Sequence, residues 1–103
     1  MASVPDPRSS WALDRFEQWL FGRSPATTRA YLADVNAFTE WVSRSGAGAP
    51  SEVGRIVLRR YLAYLGTRQY ARATIARKAA ALRCYFAWCQ KHGIVAEDPA
   101  RMV

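Results

Sequence analysis

From Val53 to Ala96 the chain contains neither aspartate nor glutamate, yet the same stretch holds nine basic residues. This excludes a segment neutralised by its own carboxylates, and a folded surface of one sign is an electrostatic footprint for a polyanion. Long apolar runs are missing too. None approaches the roughly 20 residues that cross a bilayer, and the opening MASVPDPRSS lacks the apolar stretch of a secretory signal. No membrane partner is therefore expected, and a cytoplasmic location is. Cysteine is scarce: Cys84 and Cys89 are the only two, and His92 is the only histidine. Five apart in one predicted helix, the cysteines lie about 140° apart around it and roughly 8 Å apart along it. That spacing excludes a disulfide between them. Cys89 and His92 share a helical face, but a third and fourth ligand are lacking, so neither a metal nor a cofactor is expected.

What the chain does have is arginine. Thirteen of its fifteen basic residues are Arg, and the whole net charge of +7 arises after residue 52, the earlier part being near neutral. The planar guanidinium fork suits phosphate oxygens and guanine edges better than the point charge of lysine. Nucleic acid is the leading partner class; a solvated basic face that keeps a small domain soluble is the alternative. With 103 residues, half of them apolar and 13% aromatic, the chain fits one domain with one core and is no disordered arm.

Apolar spacing predicts four helices and no strand of useful length. Helix 1 is expected from about Ser10 to Phe21, burying Ala12, Phe16, Trp19 and Leu20, with Gly22 after it. Ser24 is the predicted cap of helix 2 and Pro25 its first residue; Tyr31, Val35, Phe38 and Val42 follow at helical spacing, and Gly46 ends the run. Helix 3 begins near Gly54 or Arg55, carries Leu58, Tyr61, Leu62 and Leu65, and is closed by Gly66. Helix 4 spans about Arg72 to His92 with Ile75, Ala79, Leu82, Phe86 and Cys89 on its apolar face. Ala73, Arg77, Ala80, Ala81 and Cys84 project away from that face. Small side chains around one arginine suit close approach to a DNA groove, or equally the packing of another helix.

Two segments carry a family signature: Ser24-x-x-Thr27-x-x-x-Tyr31-x-x-Asp34-x-x-x-Phe38-x-x-Trp41, and Thr74-Ile75-x-Arg77-x-x-x-x-Leu82-Arg83-x-x-Phe86-x-Trp88. With Arg60-Tyr61-Leu62 and Asp98-Pro99-Ala100, they make residues 10 to 101 resemble the core-binding domain of tyrosine recombinases, of the Xer and phage-integrase type. The resemblance implies an all-α fold, a four-helix SAM-like orthogonal bundle. It also implies that helices 2 and 4 dock on the major groove of a double-stranded recombination half-site. Carried over by position, the contact candidates are Thr27, Thr28 and Arg29 on helix 2, and Thr74, Arg77, Lys78 and Arg83 on helix 4. Arg72 joins them because it opens helix 4 in the acid-free stretch. Arg77 is the first candidate for a base contact, and Arg77 and Lys78 are both expected at the surface. Tyr31, Phe38, Trp41, Leu82, Phe86 and Trp88 are expected in the core. The chain departs from the pattern at Gln69 and Ala71, where the family usually has a glycine and a capping serine. Helix 4 is accordingly expected to start late or to use Thr74 as its cap.

The resemblance also implies where the chemistry lies. The family's tyrosine nucleophile and its catalytic arginines, lysine and histidine belong to a C-terminal domain, so no catalytic residue is assigned here and no small-molecule substrate is expected. Asp34 and Glu40, six apart on helix 2, form no acid–base site, and no Gly-rich phosphate loop is present. The expected organisation is a flexible N-terminus over residues 1–9, a DNA-binding domain over 10–97, and a mobile linker starting at 98–103. The parent would be a DNA strand-exchange enzyme working as a tetramer on two sites. Two other classes stay open: a helix-turn-helix-like transcriptional regulator, which would need two short helices and a tight turn, and an all-α protein-interaction module.

Overall fold

The computed structural model describes residues 10–103, and the expected flexible segment 1–9 lies outside them. Among the described residues four helices follow one another: α1 (Leu13–Trp19), α2 (Pro25–Ser43), α3 (Arg55–Thr67) and α4 (Arg72–Lys91), with a short 3-10 turn at Pro50–Glu52 between α2 and α3. Among the described residues there is no strand, only an isolated bridge between Phe21 and Arg23.

Local chemistry explains the best-defined helix start. Ser24 sits in extended geometry, and its Oγ accepts the Thr27 N–H at 3.1 Å while Pro25 takes the first helical position. The cap satisfies one of the backbone donors that every helix start leaves unpaired. α1 is shorter than its periodicity suggests, because Ala12 adopts a left-handed conformation (φ 55°) and breaks the backbone before Leu13. As a result Trp11 and Leu13 join Phe16 and Leu20 in the core, whereas Ala12 and Trp19 are only partly buried.

The closure of α3 also differs from expectation. Gly66 lies inside the helix, and the left-handed residue in the connection to α4 is Gln69 (φ 61°). α4 then starts at Arg72 without delay. Its N-cap is Ala71, which offers no side-chain acceptor, and Thr74 lies within the first turn and caps nothing.

α4 is the central helix. Its Tyr85 and Trp88 rings stand 5.2 and 5.3 Å from Phe16 of α1, and its Phe86 ring lies 6.2 Å from Phe38 of α2. Phe38 in turn meets Tyr61 of α3 at 5.0 Å. Each such ring pair adds about 0.5–1.5 kcal/mol beyond the area it buries. Because α4 has neighbours on several sides, its buried arc is wider than one apolar face. Ala81, expected to point outward, is fully buried, and Cys84 is half-buried. Phe38, Leu82, Phe86 and Trp88 are core as expected, while Tyr31 and Trp41 pack against its edge.

Residues 98–103 were expected to lead away as a linker. They turn back instead: Asp98 Oδ1 accepts the Ala100 N–H at 2.9 Å, Ala100 is buried, and Val103 packs on the core. Pro99 stops helix continuation, but the chain leaves its position in a turn and not in an extended strand.

Candidate nucleic-acid interface

α2 and α4 form the main helix pair of the bundle. Asp34 of α2 meets Arg77 and Lys78 of α4, and further along both helices Phe38 meets Phe86. Thr27, Thr28 and Arg29 lie at the start of α2, and Arg72 and Thr74 lie in the first turn of α4 with Arg77 following them. Helix starts expose unpaired N–H groups and the positive end of the dipole, which favour phosphate.

Arg29, Arg72, Arg77 and Arg83 are solvent-exposed, while Thr27, Thr28 and Thr74 are half-buried. Thr27 is partly committed to the cap, since its Oγ1 accepts the Ser24 hydroxyl at 2.8 Å. Arg83 lies farther down α4, where its Nη1 donates to the Val103 carbonyl at 3.4 Å.

Lys78 is a correction. It was expected at the surface, but its side chain is only 10% exposed. Its ammonium donates to Asp34 Oδ1 at 3.2 Å and lies 5.5 Å from the centre of the Tyr70 ring. Enclosed in this way, it has no free path to a phosphate.

Asp34 is the residue that local sequence reasoning passed over. Its side chain is 2% exposed and takes three hydrogen bonds, from Arg77 Nε to Oδ2 at 2.8 Å, from Arg77 Nη2 to Oδ1 at 2.9 Å, and from Lys78. The hydrogen bond to Asp34, aided by its charge, raises the Arg77 pKa still further above its ordinary value, so the guanidinium stays charged. One carboxylate balancing two cations leaves the cluster with net positive charge. The available signal was the presence of Asp34 in the α2 signature opposite a helix rich in arginine, but the pairing spans 43 residues and no helical spacing reveals it.

Both cysteines and two tyrosines of the bundle stay protonated at neutral pH. Burial pushes the Cys89 thiol up to about 12 and raises Cys84 and Tyr85 as well; burial chiefly, with Tyr70, Asp34 and Tyr64 adding to it, raises Tyr61 to about 12. No cluster of three or more His, Cys, Asp or Glu side chains able to hold a metal occurs among the described residues. No described helix is long and apolar enough to cross a membrane.

The family model described as phage integrase, N-terminal SAM-like domain, matches residues 13–93. Among curated proteins, the tyrosine recombinase XerC of Mycobacterium sp. (strain JLS) is 37% identical over 94 residues, which covers 85% of this chain and 31% of that protein. The tyrosine recombinase XerC of Mycobacterium tuberculosis (strain CDC 1551 / Oshkosh) is 35% identical over 91 residues, covering 85% of this chain and 30% of its own length. The chain thus spans about a third of the length of the curated relatives it matches. No solved structure gives a significant match. The helical order, the acid-free arginine-rich half and these matches agree, and the chain belongs to the phage integrase N-terminal SAM-like domain family.

Proposed function

We propose that this chain is a duplex-DNA-binding module of a site-specific tyrosine recombinase, docking the start of α2 and the exposed face of α4 on a recombination half-site. The observation that carries the reading is the acid-free segment from Val53 to Ala96, whose arginines decorate a folded bundle. Thr28, Arg29, Arg72, Thr74 and Arg83 serve as phosphate contacts that set the orientation, Thr27 contributes through the cap, and Arg77 reaches a base edge. Lys78 acts from inside, by holding Asp34. The strand-exchange chemistry and the assembly of four subunits on two sites belong to the full-length recombinase, and the DNA-binding role to this domain.

A helix-turn-helix regulator fits less well. α2 and α4 have 19 and 20 residues, and α3 stands between them in the chain. A tight turn between two short helices is what that motif requires.

The test is a titration of mixed-sequence duplex DNA at three salt concentrations. With about four phosphates neutralised, log K falls against log salt with a slope near −3.6. Charge reversal at Arg72 and Arg29 lowers affinity more than reversal at Arg15 of α1. A flat salt response, or equal losses at all three positions, overturns the docking assignment. A suicide-substrate gel gives no covalent adduct with the 103-residue chain; an adduct would place a nucleophile in this domain and overturn the division of labour.

A further inference from the structure

We propose that Asp34 is a specificity-determining positioning residue: it grips one edge of the Arg77 guanidinium so that the other edge is presented, pre-oriented, to a guanine in the major groove. The proposal rests on the DNA-binding reading above and adds which base is read and which buried group enforces the choice.

A guanidinium has five N–H donors. Asp34 takes the Nε donor and one Nη2 donor. What remains is both donors of Nη1 and the second of Nη2, and two of these point in parallel along the terminal edge. Guanine offers two neighbouring acceptors, O6 and N7, on its major-groove edge, whereas adenine puts an N6 donor beside N7. A fixed fork of two donors therefore accepts guanine and meets a donor-to-donor clash at adenine.

Three features make this fork a reader of bases. The Arg77 side chain is 47% exposed above a carboxylate that is 2% exposed, so the anchor is buried and the reading edge is not. Lys78 donates to Oδ1 from within the bundle, so the carboxylate has an anchor of its own besides Arg77. Around Arg77 on the helix surface lie Ala73 and Ala76, exposed, and Ala80, half-buried. Such small side chains let the helix enter the groove far enough for the fork to reach a base. Pairing with Asp34 also offsets the guanidinium charge, which weakens its pull toward phosphate. An unpaired arginine would instead have many rotamers to lose on binding.

The experiment is a selection from a random duplex library with the wild-type chain, followed by affinity measurement on the selected site. The site is measured with guanine and with 7-deazaguanine, which lacks the N7 acceptor, at each enriched G. Wild type is expected to lose about tenfold or more at one such position, in the range of a charge-assisted hydrogen bond. Arg77→Lys, which keeps the charge but not the fork, loses the guanine enrichment and loses more affinity for the selected site than for mixed-sequence DNA. Asp34→Asn, with folding checked by circular dichroism and melting, reduces the 7-deaza effect to about threefold or less while mixed-sequence affinity stays at or above the wild-type level, because the Arg77 charge is no longer offset.

Unchanged discrimination in folded Asp34→Asn overturns the inference and leaves DNA binding standing. Where Asp34→Asn does not fold, Asp34→Glu decides. It keeps a negative charge for Lys78 but shifts the carboxylate by one methylene, and unchanged discrimination in it overturns the inference equally. Retained guanine enrichment in Arg77→Lys, or a wild type that selects no guanine, also overturns it. Failure of the wild type to bind any duplex overturns the proposed function itself.

Discussion

Tyr85, in the middle of α4, donates its phenolic hydrogen bond to the backbone carbonyl of Trp11, 74 residues earlier in the chain. Both residues are buried, and Trp11 lies just before the backbone break at Ala12. The bond pins the entrance of α1 onto the central helix, at a place where no regular helix supplies a partner for that carbonyl.

Tyr85→Phe is therefore expected to destabilise the bundle by about 1–3 kcal/mol, since it leaves a buried acceptor without its donor. DNA affinity should not change, because the proposed docking residues lie on other faces. Urea unfolding followed by circular dichroism measures the first, and the duplex titration the second. A variant as stable as wild type would show that water reaches the Trp11 carbonyl.

Lys78 separates removal of a buried charge from its reversal. Lys78→Glu places a second carboxylate beside Asp34 and is expected to cost about 3 kcal/mol or more, the usual penalty for breaking a buried pair and leaving its partner uncompensated. Lys78→Met keeps most of the volume and leaves Asp34 still paired with Arg77, so its loss should be well under half as large. Chemical denaturation of both variants checks the order. Equal losses would mean that the aliphatic stem matters more than the ammonium.

Much of this architecture was legible in the chain, and what was not shares one physical cause. Ser24 and Pro25 announce α2 through purely local chemistry, and Gly22, Gly46 and Gly93 do take positive φ after α1, α2 and α4. Lys78 and Ala81 were misplaced because a helical projection with one apolar face describes a helix that has one neighbour. α4 has several, so its buried arc extends to positions set by residues 44 or more places away, such as Asp34 for Lys78. The docking candidates show the same split: arginine at a helix start is readable from order alone, whereas the anchor that orients Arg77 exists only once α2 and α4 are packed.

Stability should also fall on the alkaline side. An unfolded cysteine releases its proton near the ordinary value of 9.0, but burial holds Cys89 protonated up to about 12. The folded state thus binds the proton more tightly, so the contribution is complete below pH 9 and is lost as pH rises toward 12. The expected slope is about 1.4 kcal/mol per pH unit for one such group. Cys84, also raised, adds to it, and Tyr61, raised to about 12, adds a second loss above its ordinary value of 10.0. Urea unfolding at pH 8, 9.5 and 10.5 under reducing conditions measures this. Cys89→Ala should flatten the slope between pH 9 and 10, and an unchanged slope would remove Cys89 as its source.

The connection between α3 and α4 is built for a glycine and a serine that this chain lacks. Gln69 occupies φ 61°, a left-handed conformation that favours glycine because a side chain there crowds its own backbone. Ala71 has φ −59° and ψ 147°, nearly the −58° and 144° of Ser24, yet no oxygen with which to accept an N–H from the first turn of α4. Ala71→Ser should therefore reproduce the Ser24 cap, with the Thr74 N–H as donor, and stabilise by about 1 kcal/mol. Gln69→Gly removes side-chain crowding but loosens the unfolded chain, so its gain should be smaller, under about 1 kcal/mol. Two residues apart, the two changes need not be additive. Thermal and urea unfolding of both single variants and the double variant decide the matter. A destabilised Ala71→Ser would show that the extended geometry at residue 71 does not aim its side chain at the helix start, and the likeness to Ser24 would then be confined to the backbone.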